Sequence, residues 1–173
     1  MTRAYHSPRL LAPNDLVDEF TCRSTEQSTW LRRYAFQSAS TGSTKVFVVT
    51  SHEDDRVVAY YAWYMAQLNL EVAPSRLRKG AGRYPQPAAL LARLGVDAAH
   101  EGRGIGAGLL GDAITRLLSI SDEIGCRGLL IHAETAEARD FYLHLIPELE
   151  PSPTDELHLV LLMKDAKRTL LGE

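Results

Sequence analysis

Cysteine is almost missing from this chain. Cys22 and Cys126 are the two in 173 residues, too few for a disulfide framework and without metal-ligand spacing, so both read as reduced structural thiols and no metal is expected. Excess positive charge is missing as well: 19 Lys and Arg against 22 Asp and Glu give a net charge of −3, so no global basic field points to nucleic acid. No apolar run approaches the ~18 residues of a membrane span. The stretch Met1–Pro8 has no apolar h-region, which argues against a signal peptide and for a cytoplasmic protein without membrane contact. Repeats and low-complexity tracts are absent. What remains, 45% hydrophobic and 24% charged, suits one globular domain over residues 1–173 with a full core.

Periodicity orders that domain. Asn14 or Asp15 can cap a short helix, and Ser24 with Gln27 forms a capping-box pair ahead of Trp30, Leu31, Tyr34 and Ala35. Val46–Thr50 is a β-branched run, Ser51–Arg56 a polar turn and Val57–Leu70 a long strand, together an antiparallel hairpin. Glu71–Pro87 is irregular and basic, broken by Pro74, Gly80, Gly82, Pro85 and Pro87. Ala88–Val96 reads as a strand. Leu109/Leu110, Ala113/Ile114, Leu117/Leu118 and Ile124 recur at helical spacing, with Gly125 as the stop. Gly128–Ala133 is a buried strand, Ala138, Phe141, Tyr142 and Leu145 stripe a short helix, and Leu157–Met163 is a last strand. The order predicts a mixed α/β (α+β) domain with one parallel crossover.

Glycine, by contrast, is concentrated: Gly102, Gly104, Gly106, Gly108 and Gly111 fall between the strand ending at Val96 and the long helix. Such density at a helix start brings backbone N–H groups close to a ligand, with the positive end of the helix dipole behind them, which is a phosphate site. A Walker A loop fails because no Lys-Ser/Thr pair follows. Gly106–Gly111 matches Gly-x-Gly-x-x-Gly literally, with Glu134 as a ribose ligand, but the match falls inside the helix and no second βαβαβ half exists. The third pattern, Gln/Arg-x-x-Gly-x-Gly/Ala, is met by Glu101 to Ala107 except for Glu101 itself, an acid that must point away from phosphate.

That loop, in its place after an apolar strand and before a strand and a Phe-Tyr helix, resembles the pyrophosphate arm of the GNAT N-acetyltransferases. The resemblance narrows to the acetyltransferase toxins of type II toxin–antitoxin systems, which acetylate the α-amino group of aminoacyl-tRNA. It is carried by Phe20-Thr21-Cys22 through Trp30-Leu31, by Val57–Ala62, by Pro74–Lys79 leading to Ala92–Asp97, and by Ala138–Tyr142 with Pro151-Ser152-Pro153 and Leu157-His158-Leu159. Two departures stand out: His100-Glu101 replaces neutral or basic residues, and Ile146-Pro147 replaces the Gly-Phe that usually follows the Phe-Tyr helix.

The resemblance implies a GNAT fold, acetyl-CoA as co-substrate and no metal. It puts the pyrophosphate on Gly102, Arg103, Gly104, Ile105, Gly106 and Ala107, and the pantetheine amides on the strand edge at Leu94 and Val96. Tyr142 becomes the general acid for the departing thiolate, whereas its periodicity alone favours a core aromatic. No strong base is visible: His6, His52, His100, His132, His144 and His158 are scattered. An α-amino group beside an ester needs none, being substantially neutral near pH 7, unlike a lysine amine at about 10.4. Arg76, Arg78, Lys79, Arg83 and Arg93 form a run free of acids, by itself a solvated loop and by resemblance a surface for tRNA phosphates. An antitoxin of ribbon-helix-helix type is the implied protein partner. Toxins of this group commonly form homodimers, and no stretch here marks an interface. The rival readings are an acetyltransferase of small amines or peptides on the same fold, and a non-catalytic acyl-CoA-binding regulator.

Overall fold

Strand β1 (Arg9–Leu10) exists only through its partner, pairing antiparallel with β2 (Lys45–Thr50) at Arg9↔Val48 and Leu10↔Phe47. In this computed structural model, residues 4–172 are described; Met1–Arg3, part of the segment without an h-region, lie outside the described residues. The expected helix at Asn14/Asp15 does not form. The Asp15 carboxylate accepts from Arg9 Nη1 and Nη2 at 2.9 and 2.7 Å and from the Ala12 N–H at 2.7 Å, so it closes a turn and cannot cap a helix. Helix α1 (Thr25–Arg33) does start at Ser24, whose hydroxyl accepts the Gln27 N–H at 3.1 Å. Tyr34 separates it from α2 (Ala35–Thr41), which Gly42 ends in the left-handed conformation.

β2 pairs antiparallel with β3 (Val57–Leu68), from Lys45↔Trp63 to Thr50↔Val57. This is the expected hairpin, its second strand two residues shorter than the sequence suggests. The segment read as irregular holds a one-turn helix, α3 (Ser75–Arg78), before β4 (Gln86–Val96). Helix α4 spans Ile105–Ile120, so the literal dinucleotide fingerprint lies wholly inside it. It stops short of Gly125: the Ser121 hydroxyl turns back to the Leu118 carbonyl at 3.0 Å, and Glu123 and Ile124 N–H groups both close on Ile120. β5 (Gly128–His132) pairs parallel with β4 over Ala88–Leu91, the crossover the sequence predicts.

Thr135 caps α5 (Ala136–Leu145) through the Ala138 N–H. Pro147 ends that helix by keeping Ile146 out of the helical region, at φ −132° and ψ 86°. β6 (Glu150–Pro151) and β7 (His158–Leu162) follow, with Glu150↔Val160 and β5–β7 paired antiparallel. A final helix, α6 (Met163–Leu171), has no counterpart in the sequence reading; the Met163 N–H is taken by the Arg127 carbonyl at 3.0 Å. The seven strands run β1-β2-β3-β4-β5-β7-β6 in one mixed sheet.

The chain divides into two units, residues 1–64 with 92–112, and residues 65–91 with 113–173. In the first, Val46, Val48, Val57, Tyr60 and Ala62 of the hairpin are buried against Val17, Phe20, Leu31 and Ala35, the main source of its stability. In the second, Leu129, Ile131, Leu159 and Leu117 are fully buried. No helix among the described residues is long and apolar enough to cross a membrane.

Candidate active site

In the first unit, β4 feeds the glycine loop. It pairs with β5 only as far as Leu91↔Ile131, so the half-buried Leu94 and Val96 lie on a stretch of strand that runs on past that register. The Asp97 carboxylate then caps the turn Ala98–His100 and accepts the Thr21 N–H at 3.0 Å. The loop itself bends through two left-handed residues, Gly102 at φ +74° and Gly104 at φ +78°, and a Cβ at either would meet nothing within 4 Å. Alternation of this kind points successive N–H groups into a shared concavity. The first helical bond of α4 runs from the Gly108 N–H to the Gly104 carbonyl at 3.0 Å, so the N–H groups of Ile105, Gly106 and Ala107 precede the ladder and remain for an anion. Open space, free donors and the dipole of a 16-residue helix fit a pyrophosphate.

The Glu101 carboxylate is held by Arg23, whose Nε donates to both its oxygens, at 2.9 and 3.1 Å. Arg103 is fixed too, its Nη1 donating to the Tyr5 hydroxyl at 2.6 Å, and that hydroxyl lies 2.7 Å from His100 Nδ1. The direction of that second bond follows the imidazole tautomer. Sequence reasoning missed Arg23 and Tyr5, which stand 78 and 98 residues from their partners and leave no local signal. A cavity of about 360 Å³ opens beside this region, but its rim carries Asp18, Glu19, Asp54 and Asp97 with Arg56, a lining that repels phosphate.

In the second unit, Tyr142 sits on α5 at 8% exposure, its ring edge-on to Phe141 with centroids 5.4 Å apart. Burial, then the charge of Glu134, pushes its phenol up to about 12. Its hydroxyl makes no hydrogen bond among the described residues. Four histidines are used in stacked pairs, His6 on His52 and His132 on His158, at 3.9 and 3.8 Å between centroids. No group of three or more potential metal ligands occurs among the described residues.

The five basic residues divide sharply. Arg76 is clamped: Nη1 and Nη2 grip Asp165 at 2.8 and 2.9 Å and Nη1 also meets Glu150 at 2.7 Å. Asp165 is 3% exposed, and Arg76 holds its carboxyl below the usual range. Arg93, in the other unit, lies over the Trp30 ring at 5.0 Å and reaches Gln27 Oε1 and Glu26 Oε1 at 3.2 and 3.4 Å. Arg78, Lys79 and Arg83 are exposed and carry no ion pair among the described residues. We expect Arg76→Ala to lower Tm by several degrees at pH 7, because a buried carboxylate loses its bidentate partner. The depressed Asp165 pKa stabilises the fold above the unfolded value of about 3.9, and that contribution is lost as pH falls through the lower folded value. Melting curves at pH 7 and pH 2.5 should therefore show the gap between wild type and variant closing in acid; a gap that stays constant would remove the clamp from the stability account.

A strand running on past its neighbour into a glycine nest and a long helix, with a Tyr-bearing helix after the next strand, is the layout of the acyl-CoA N-acetyltransferase, or GNAT, fold. No protein-family model matches the chain. A "tRNA-acetylating toxin" of Mycobacterium tuberculosis is 41% identical over 169 residues, covering 98% of each chain, and the protein belongs to this family of GNAT toxins. Solved structures agree in fold. AtaT complexed with acetyl-methionyl-tRNAfMet superposes with a TM-score of 0.85 at 21% identity, over 96% of this chain and 99% of that one. A tyrosine-to-phenylalanine variant of AtaT, bound to acetyl-CoA and the C-terminus of the antitoxin AtaR, gives 0.81 at 18%, over 99% and 100%.

Proposed function

We propose that residues 1–173 act as one cytoplasmic acetyltransferase domain that moves acetyl from acetyl-CoA to the α-amino group of an aminoacyl-tRNA, and so acts as a toxin. The observation that carries this reading is the full-length 41% identity to a tRNA-acetylating toxin. Acetyl-CoA supplies a thioester whose acyl carbon passes to the amine nitrogen while the C–S bond breaks. The N–H groups of the nest, with Arg103 steadied by Tyr5, hold the pyrophosphate. Backbone at Leu94 and Val96 aligns the pantetheine. Tyr142 is the group assigned to the departing sulfur: at about 12 its phenol is a weaker acid than a thiol at about 8.5. It therefore acts by donating a hydrogen bond as charge builds on the sulfur, and any proton it yields is regained from the attacking nitrogen.

A toxin of this kind works against an antitoxin, as AtaT does with AtaR; the ribbon-helix-helix class and a homodimeric assembly remain part of the proposal. Acetyl-CoA is the co-substrate and no metal takes part. Incubation with labelled acetyl-CoA and total charged tRNA tests the activity, with the acetylated amino acid identified afterwards. Label on free amines and none on tRNA would establish the small-amine enzyme instead.

The RNA surface is Arg78, Lys79 and Arg83, with Arg76 and Arg93 as its internally bonded neighbours in sequence. Changing the three free cations to Glu should lower kcat/KM for charged tRNA by about 100-fold or more while acetyl-CoA affinity stays put. Each lost phosphate contact flattens the log–log salt dependence by about 0.7–0.9, so the triple variant should lose about 2–3 units of slope. Including Arg76 in that variant would press a new acid against Asp165 and confuse binding with unfolding. Wild-type turnover and slope in the triple variant would place the RNA face elsewhere.

A further inference from the structure

The loop that carries these cations is built to hold one more side chain outward. Its base is stapled by Gln86, 8% exposed, whose Nε2 donates to the carbonyls of Tyr84 and Ala81 at 3.0 and 3.5 Å. Gln86 Oε1 accepts from Arg127 Nη1 at 2.6 Å, and Arg127 Nη2 reaches the Leu77 carbonyl at 3.4 Å. Gly80 and Gly82, at φ +82° and +66°, turn the chain on either side of the buried Ala81. On this fixed base Tyr84 stands 76% exposed, the most exposed large hydrophobic side chain among the described residues. Arg83 precedes it, Lys79 opens the same loop where Arg78 ends α3, and no Asp or Glu occurs between Pro74 and Arg93.

An exposed ring on a hydrogen-bonded loop, flanked by unpaired cations, has the chemistry of a single-strand grip: the π-face stacks on an unpaired base and the cations take the adjoining phosphates. A duplex cannot use the ring, because its base faces are already covered by their neighbours. We infer that Tyr84 is a stacking platform for an unpaired base at the 3′ end of the RNA, with Arg83 and Lys79 on the flanking phosphates. This rests on aminoacyl-tRNA being the acceptor, since the aminoacyl ester sits on such an end.

The test titrates full-length wild type, Tyr84→Ala, Tyr84→Phe and Arg83→Ala with a fluorescein-labelled single-stranded oligoribonucleotide ending in CCA. A blunt RNA duplex of equal length is the second probe, and KM for charged tRNA is measured beside them. Tyr84→Ala should weaken single-strand binding and raise KM for charged tRNA by about 5- to 150-fold, the range of one base–aromatic stack, without changing the salt slope. Tyr84→Phe, which keeps the ring, should match wild type, and Arg83→Ala should flatten the slope by about 0.7. The inference is overturned if Tyr84→Ala binds the oligonucleotide like wild type, if Phe is as weak as Ala, or if the duplex suffers equally. It is also overturned if Tyr84→Ala changes only the oligomeric state in sedimentation, which would make the ring a contact between copies. A wild type that acetylates no charged tRNA would end the acceptor reading alone; the oligonucleotide titration still decides Tyr84.

Discussion

Gly104→Glu should abolish acetyl-CoA binding, lowering affinity by more than 100-fold in calorimetry, in a protein that remains folded. Two effects act at this position and can be separated. Gly104 has a φ of +78°, so any Cβ there costs about 1–2 kcal/mol in backbone strain. That strain shifts Tm by a few degrees in a chain of this size. A Cβ meets nothing within 4 Å, however, so no packing is lost. The carboxylate would sit among the N–H groups that hold pyrophosphate, and its charge would repel what the nest attracts. Gly104→Ala therefore reports strain alone and should retain much of the affinity, whereas Gly106→Glu brings the same anion without left-handed strain because it lies in α4. Unchanged affinity in folded Gly104→Glu and Gly106→Glu would remove the pyrophosphate from this loop.

Tyr142→Phe should keep acetyl-CoA affinity within a few fold and reduce turnover by about 10² or more, the scale of a positioned proton donor. The hydroxyl has no hydrogen bond to lose among the described residues, so the substitution should leave Tm nearly unchanged. That separation is what distinguishes a catalytic phenol from a buried structural one. A phenol pushed up to about 12 stays in its donor form past pH 10. Turnover should accordingly show no alkaline decline from Tyr142 below about pH 10, although an unperturbed tyrosine titrates near 10. Near-normal turnover in the Phe variant would return Tyr142 to the core; an alkaline limb near pH 10 that vanishes in Phe would show that its acidity is not depressed.

Local chemistry made part of this molecule legible. Ser24 and Gln27 marked the start of α1, the β-branched runs on either side of Ser51–Arg56 marked the hairpin, and the glycines after Val96 marked the nest. The misses share a cause: distant residues decide them. Asp15 has the right side chain for a helix cap, but Arg9 takes it. The run through Leu162 and Met163 offers no break, and α6 begins there with the Met163 N–H held by the distant Arg127 carbonyl. The basic run looked uniform, yet Asp165, 89 residues away, claims Arg76, and Gln27 and Trp30 claim Arg93. Tyr84 could have been seen from its place between Arg83 and Pro85, an aromatic interleaved with cations.

Tyr5 gives the start of the chain a stake in co-substrate affinity. It forms a bridge with Ser51 and meets Arg103 and His100 through its hydroxyl, so the amino-terminal segment is one wall of the mounting for the loop's own arginine. Tyr5→Phe would take away the hydroxyl that meets Arg103 and leave the backbone bridge to Ser51 in place. That variant should then bind acetyl-CoA more weakly than wild type in calorimetry, and inhibitor screens run on it would rank compounds against a loosened site.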